Sequence, residues 1–263
     1  MLNKLLKYDL KYMIKNMSVF YILALFFSIL SRILFELKGS VIIDIISGIS
    51  VGCMFSMLGS ILINTMMRSW VRFNDSIYKD ESYLTHTLPV TKNDIYNSNF
   101  IQALIFFVFG FVVILLSLFI AYYTKERWSL LTGLLTGISK GLNTNNTVLI
   151  ISMILVVFLE IFNAIQCGFL GLILGNKRNN KKMAFSILFG FIAYLVSQNM
   201  ALLLAYIVGL FNSDIMSLFK NDAVINAGSI KLLMFLAIIL YLIIIFILSV
   251  ICKKEFNTGV NVE

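Results

Sequence analysis

An all-α integral membrane protein is the fold class this sequence predicts, and three observations carry it. Of 263 residues, 60% are hydrophobic and only 13% charged, against roughly a quarter charged in an ordinary soluble domain. Mean hydropathy is +0.93. The apolar residues gather into six runs long enough to cross a bilayer, for which a helix needs about 20 mostly apolar residues. A water-soluble fold cannot hide this much apolar surface, and a disordered chain needs the opposite composition. Continuous runs without period-two alternation exclude a transmembrane barrel.

The expected spans are residues 17–37, 41–67, 99–124, 147–175, 184–211 and 229–252. The third is the cleanest, with Gln102 and Ser117 as its strongly polar interruptions between Phe100 and Tyr123. The second, fourth and fifth exceed about 25 residues and should tilt or project from the bilayer. The single proline, Pro89, lies between spans, so none is kinked by proline.

Orientation follows from the basic residues. Lys4, Lys7, Lys11, Lys15, Arg68, Arg72, Lys79, Lys92, Lys177, Arg178, Lys181, Lys182, Lys253 and Lys254 collect on one side. Arg32, Lys38, Lys125, Arg127, Lys140, Lys220 and Lys231 fall on the other. Fourteen of the 21 Lys and Arg against seven place both termini in the cytoplasm, because basic loops are retained there. This bias also explains the net charge of +8 without a nucleic-acid partner. The long cationic start lacks a cleavage pattern, so span one is expected to be retained.

Residues 1–16, ahead of span one, alternate on a helical period. Leu2, Leu5, Leu6, Met13 and Met17 mark one face and Lys4, Lys7, Lys11 and Lys15 the other. The expectation is an interfacial amphipathic helix with its lysines toward anionic headgroups. Such a helix either orients span one or packs against the bundle as an elbow that transmits motion.

Between spans two and three, residues 68–98 form the longest polar segment on the cytoplasmic side. Asp80 to Leu88 reads as a short helix, stopped by Pro89 because a residue before proline avoids the helical region. Thr91-Lys92-Asn93-Asp94 then reads as the capped start of a new helix running into span three. Segment 125–146, with its Gly and Asn, reads as an external loop resting at the interface.

The string Glu81-Ser82-Tyr83-Leu84-Thr85-His86-Thr87-Leu88-Pro89-Val90-Thr91-Lys92 resembles the YLxxTLPV[ST] segment of bacterial ABC-2-type exporter permeases. It departs from them at Asn99, near which relatives commonly carry Lys. The resemblance implies a six-span subunit of the bacterial cytoplasmic membrane with an N-terminal elbow helix and cytoplasmic termini. It also implies that loop 68–98 carries a coupling helix contacting an ATP-binding subunit, through Tyr83, Leu84, Thr87, Leu88 and Pro89. Two ATP-binding subunits and a second permease copy would complete the assembly. The compact size and the opening Lys7-Tyr8-Asp9-Leu10-Lys11 resemble permeases for amphipathic toxin peptides such as phenol-soluble modulins, or for bacteriocins and bacitracin.

The chain holds no GxxxxGK[ST] pattern and no HExxH. ATP and Mg2+ are therefore expected on a partner chain, with no cofactor or metal here and no catalysis by this subunit. The single His86 is expected to be a contact residue of the coupling segment. Cys53, Cys167 and Cys252 lie in separate apolar runs, without disulfide or zinc spacing.

Polar residues inside the spans mark the candidate pathway. Glu160 falls mid-span four, where a charge costs at least about 2.5 kcal/mol. Asn163 and Cys167 share its face, with Gln166 and Asn64 as further candidates, and Gln198 and Asn199 sit mid-span five. Glu160 either lines a conduit or gate or is hydrogen-bonded packing glue. Small residues every fourth position, Gly48, Gly52, Ser56 and Ser60 in span two and Ala164, Gly168, Gly171 and Gly175 in span four, are expected to pack helices within one subunit. The readings that remain are an exporter subunit moving an amphipathic or apolar peptide, an ion-gradient-driven transporter using Glu160, and a membrane immunity protein that binds a peptide without moving it.

Overall fold

The computed structural model describes residues 2–37, 40–79, 81–87, 89–219 and 227–258. Every regular element among them is a helix: α1 Leu2–Glu36, α2 Val41–Tyr78, α3 Ser82–Thr87, α4 Lys92–Tyr122, α5 Lys125–Gly141, α6 Asn146–Asn176, α7 Lys182–Phe211, α8 Ser213–Phe219 and α9 Ala227–Asn257. Six of these, α1, α2, α4, α6, α7 and α9, are long and apolar enough to cross a membrane. The chain is a multi-pass membrane protein, and the six expected runs coincide with the six helices.

The helices overrun the expected spans because hydrogen bonding does not stop where hydrocarbon does. Helix α2 has 38 residues, or about 57 Å at 1.5 Å per residue, against a hydrocarbon core of about 30 Å. It continues to Tyr78 instead of ending at residue 67, and α4 begins at Lys92 instead of 99. Segment 1–16 is likewise no separate element. Helix α1 runs unbroken from Leu2 to Glu36. Lys4, Lys7, Lys11 and Lys15 are exposed along it as the amphipathic pattern requires, but Met13 and Met17 are fully buried in a bundle core.

The chain divides into two compact units, residues 1–128 and 129–261. In the N-terminal unit α1, α2 and α4 pack together. Met13, Met17, Tyr21 and Ala24 of α1 meet Leu58 and Ile61 of α2 and Phe106 and Val113 of α4. Those α1 positions recur at the spacing that aligns one helix face. Ser31 and Ser50 share a hydrogen bond of 2.9 Å between α1 and α2, and the Arg32 guanidinium donates to the Tyr123 carbonyl beyond α4.

In the C-terminal unit α6 packs on α7 and α9. Only Ser186, Ser197 and Gly209 of α7 are buried; Gly209 faces α8, and the seam with α6 is the line of small residues Ser186, Gly190 and Ser197. A Cβ added to Gly171 would collide with Ser186 and Gly190, and one on Gly175 with Ser186 again. Span four therefore uses its small residues within the subunit, as expected. Span two does not: a Cβ at Gly48, Gly52 or Gly59 meets nothing within 4 Å. Helix α8 folds back on α7, with Ile215 fully buried and Phe219 edge-on to Tyr206 at 5.6 Å.

Segment 125–146 is mostly helix rather than loop. Leu131, Leu134 and Ile138 recur at helical spacing in α5. The interior glycines at 133 and 137 each cost about 1 kcal/mol relative to alanine, which weakens the helix without ending it, and α5 stops at Gly141.

Candidate functional site

Two polar assemblies stand out, one in each unit. The first is built where α2 leaves the apolar zone. Thr65, Ser69, Arg72 and Ser76 line one buried face of α2, so Arg72 is directed into the bundle instead of outward. Its Nε donates to Asp9 Oδ1 of α1 at 2.8 Å, and its Nη1 donates to Glu81 Oε2 at 2.7 Å. Ser98 Oγ of α4 donates to the other Asp9 oxygen at 2.6 Å. The guanidinium also stands 5.0 Å over the Tyr12 ring, a cation–π arrangement. Asp9, Arg72 and Ser98 are 4%, 7% and 1% exposed.

Each charge in this network has a partner, which a buried ion pair requires if it is not to be strongly destabilising. The planar fork of arginine is what lets one side chain hold two carboxylates in fixed directions. The result is a clasp joining α1, α2 and α4 to Glu81, immediately before α3. The backbone reinforces it: Ser82 N donates to Lys79 O at 2.8 Å and Glu81 N to Asp75 O at 3.3 Å. Downstream, Thr91 caps α4 as the sequence predicts, its hydroxyl accepting from Asp94 N at 3.2 Å. Residues 68–98, expected as a short helix, a stop and a capped helix start, comprise the end of α2, a turn, the short helix α3 and the capped start of α4.

On this clasp, α3 presents Tyr83, 75% exposed, with Thr87 and Pro89 also exposed. Leu84 and His86 belong to α3 by backbone, but their side chains lie outside the described residues, as do Asp80 and Leu88 entirely. The sequence reading missed the Asp9–Arg72 pair. One signal was available: Asp9 falls on the face of Met13 and Met17, a carboxylate where the amphipathic pattern calls for an apolar residue.

The second assembly lies in the C-terminal unit. Asn163, Gln166 and Cys167 of α6 are essentially fully buried. Asn163 Nδ2 donates to Ser197 Oγ of α7 at 2.8 Å, and the Cys167 thiol donates to Asn163 Oδ1 at 3.8 Å. Tyr241 OH of α9 donates to Gln198 Oε1 at 3.2 Å. Gln198 Nε2 is buried without a partner among the described residues. Glu160 is half-buried and within electrostatic reach of the Tyr241 hydroxyl. Glu160, Asn163 and Gln198 therefore fall within the polar region where α6, α7 and α9 pack.

Asn199 does not join them. It is exposed and donates to its own helix at Leu195 O, 2.8 Å away. Asn64 likewise donates back to Ser60 O at 2.9 Å. Among the described residues no group of three or more His, Cys, Asp or Glu could hold a metal ion. The chemistry of both assemblies is that of hydrogen bonding and charge placement. Compared with protein-family models, curated proteins and solved structures, the chain matches none.

Proposed function

We propose that this chain is the membrane-spanning subunit of an ATP-driven ABC-2-type exporter in the bacterial cytoplasmic membrane, with both termini in the cytoplasm. The observation that supports it most is the Arg72 clasp. A coupling element must be stiff, and α3 is tethered through Glu81 and Arg72 to α1, α2 and α4. A push on α3 then displaces three helices together instead of bending a loop. Two ATP-binding subunits would bear on α3 and on the turn 176–183, with ATP and Mg2+ held on those subunits. That second turn is braced as well: Lys177 Nζ pairs with Glu255 at 2.6 Å, and Arg178 lies 5.7 Å over the Phe185 ring. A second copy of the chain would complete the pathway for an amphipathic or apolar peptide.

Purification of the tagged chain from its native host in mild detergent tests this. An ATPase carrying Walker motifs is expected to co-purify stoichiometrically. Tyr83 is largely exposed, so Tyr83→Asp should cut ATPase recovery by about tenfold, equivalent to 1.4 kcal/mol of contact energy, with unchanged thermal stability. A chain that purifies without any ATPase from cells that express one overturns the reading.

Glu160 favours one other reading, a transporter driven by an ion gradient. An ionisable residue half-buried in a span beside the Tyr241 hydroxyl is a functional candidate by position. On that reading the chain alone moves ions in liposomes, and Glu160→Gln stops the flux. If transport instead needs an ATPase and survives Glu160→Gln unchanged, Glu160 is packing glue and the ion-driven reading falls.

A further inference from the structure

We propose that the α5–α6 turn and the start of α9 form a binding site for an anionic phospholipid, with its phosphate on Lys140 and Lys231 and an acyl chain along α9. The site is made within the C-terminal unit. A polar crevice of ≈390 Å3 is lined by Ser139, Lys140, Thr144, Asn145 and Lys231, among others. An apolar groove of ≈340 Å3 adjoins it, lined by Val208, Leu232, Phe235 and Ile239 together with the same Lys231. Lys231 and Phe235 border both spaces, so headgroup chemistry passes directly into chain chemistry.

Four observations support this occupant. First, no acidic residue lines either space, and neither Lys140 nor Lys231 is ion-paired among the described residues. Two ammonium groups facing one crevice repel each other unless an anion lies between them. Second, Lys231 Nζ spends one donor on the Asn143 carbonyl at a long 3.5 Å, leaving two of its three donors. Third, the Thr144 Oγ1 is buried without a partner among the described residues, and Thr144 lines the crevice. A buried hydroxyl in that state is costly unless an acceptor or donor reaches it.

The fourth observation is position. Helix α9 begins at Ala227, so Lys231 stands in its second turn, at the end where this apolar helix would enter a bilayer and where a lysine meets anionic headgroups. From there the groove follows Leu232, Phe235 and Ile239 about 10 Å along the helix. These side chains are 39%, 44% and 56% exposed. A free phosphate would use the crevice and leave the groove idle; a phospholipid uses both.

The full chain in neutral detergent is titrated with phosphatidylglycerol, phosphatidylcholine or glycerol 3-phosphate, and bound molecules are counted by native mass spectrometry. One phosphatidylglycerol per chain should bind at least about five-fold more tightly than phosphatidylcholine, the increment expected for one lysine at an anionic headgroup. Lys231→Gln should erase the preference and Lys231→Arg should keep it. Ile239→Trp, which fills the groove from an exposed position, should weaken phosphatidylglycerol binding. Should Lys231→Gln not fold, Lys140→Gln, on an exposed residue, must lower the preference in its place. Equal binding of the two lipids by the native chain overturns the proposal, as does an unchanged preference in the lysine variants. Displacement of the lipid by an equal concentration of glycerol 3-phosphate marks a free-phosphate site and overturns it too. The result is independent of whether an ATPase binds α3.

Discussion

Gly175→Ala is expected to lower the unfolding temperature of the detergent-purified chain by several degrees, and Gly171→Ala to do the same. The methyl group on Gly175 would land on Ser186 backbone and side-chain atoms, and that on Gly171 on the Ser186 carbonyl and the Gly190 backbone. Backbone atoms cannot rotate aside as a side chain can, so α7 must move off α6. Overpacking of this kind costs about 1–3 kcal/mol or more, and each kcal/mol is worth about 2–4 °C in a chain near this size. The loss is not confined to stability. Asn163 reaches Ser197 across the same seam at 2.8 Å, and widening the seam breaks that bond and strips the buried Asn163 amide of this acceptor, while Ser197 keeps its bond to Tyr194 O. Gly48→Ala and Gly52→Ala are the controls. Their added methyl groups meet open space, and alanine is favoured over glycine in a helix by about 1 kcal/mol, so stability should hold or rise. An unchanged unfolding temperature in Gly175→Ala would mean that the α6–α7 seam is looser than its geometry.

Why the sequence yields the spans but not their ends follows from what a membrane demands. In hydrocarbon every backbone group must bond within its own helix, so a long apolar run is by itself sufficient for a span. Beyond the hydrocarbon that demand lapses, and packing decides. Arg72, Phe73 and Ile77 are buried, and their burial carries α2 to Tyr78 through a stretch whose charges read as loop. The Thr91 cap was legible because it is local, four residues and one hydrogen bond. The partner of Asp9 was not, because Arg72 lies 63 positions away and nothing in the pattern of either segment pairs them. Asn163 and Cys167 could be grouped from helical spacing alone. Asn199 could have been separated on the same ground: it directly follows Gln198, and neighbours on a helix point about 100° apart, so both cannot serve one buried cluster. Segment 125–146 misled for a simpler reason. Its glycines suggested a loop, while the apolar spacing of Leu131, Leu134 and Ile138 in α5 decided for helix.

Arg72→Ala is expected to be among the most damaging single substitutions in the N-terminal unit, costing about 3–5 kcal/mol as the removal of one partner from a buried pair does. It strands the Asp9 carboxylate, 4% exposed, with Ser98 as its one remaining donor in the network. Asp9→Asn should cost less, since an amide still bonds Ser98 and Arg72 keeps Glu81. Arg72→Lys preserves charge but cannot reach both carboxylates in fixed directions, so it should fall between them. The informative variant is the double change Asp9→Leu with Arg72→Met. Replacing a buried ion pair by apolar side chains of similar size is often neutral or stabilising, so the double variant should regain most of the lost unfolding temperature. Its tether from Glu81 to α1 and α4 is nevertheless gone. If the clasp serves coupling, this variant folds, still captures the ATPase through the exposed face of α3, and hydrolyses ATP without moving substrate. If the clasp is only structural, transport returns with stability. Paired unfolding and transport measurements on the four variants separate a device that holds the helices together from one that makes them move together.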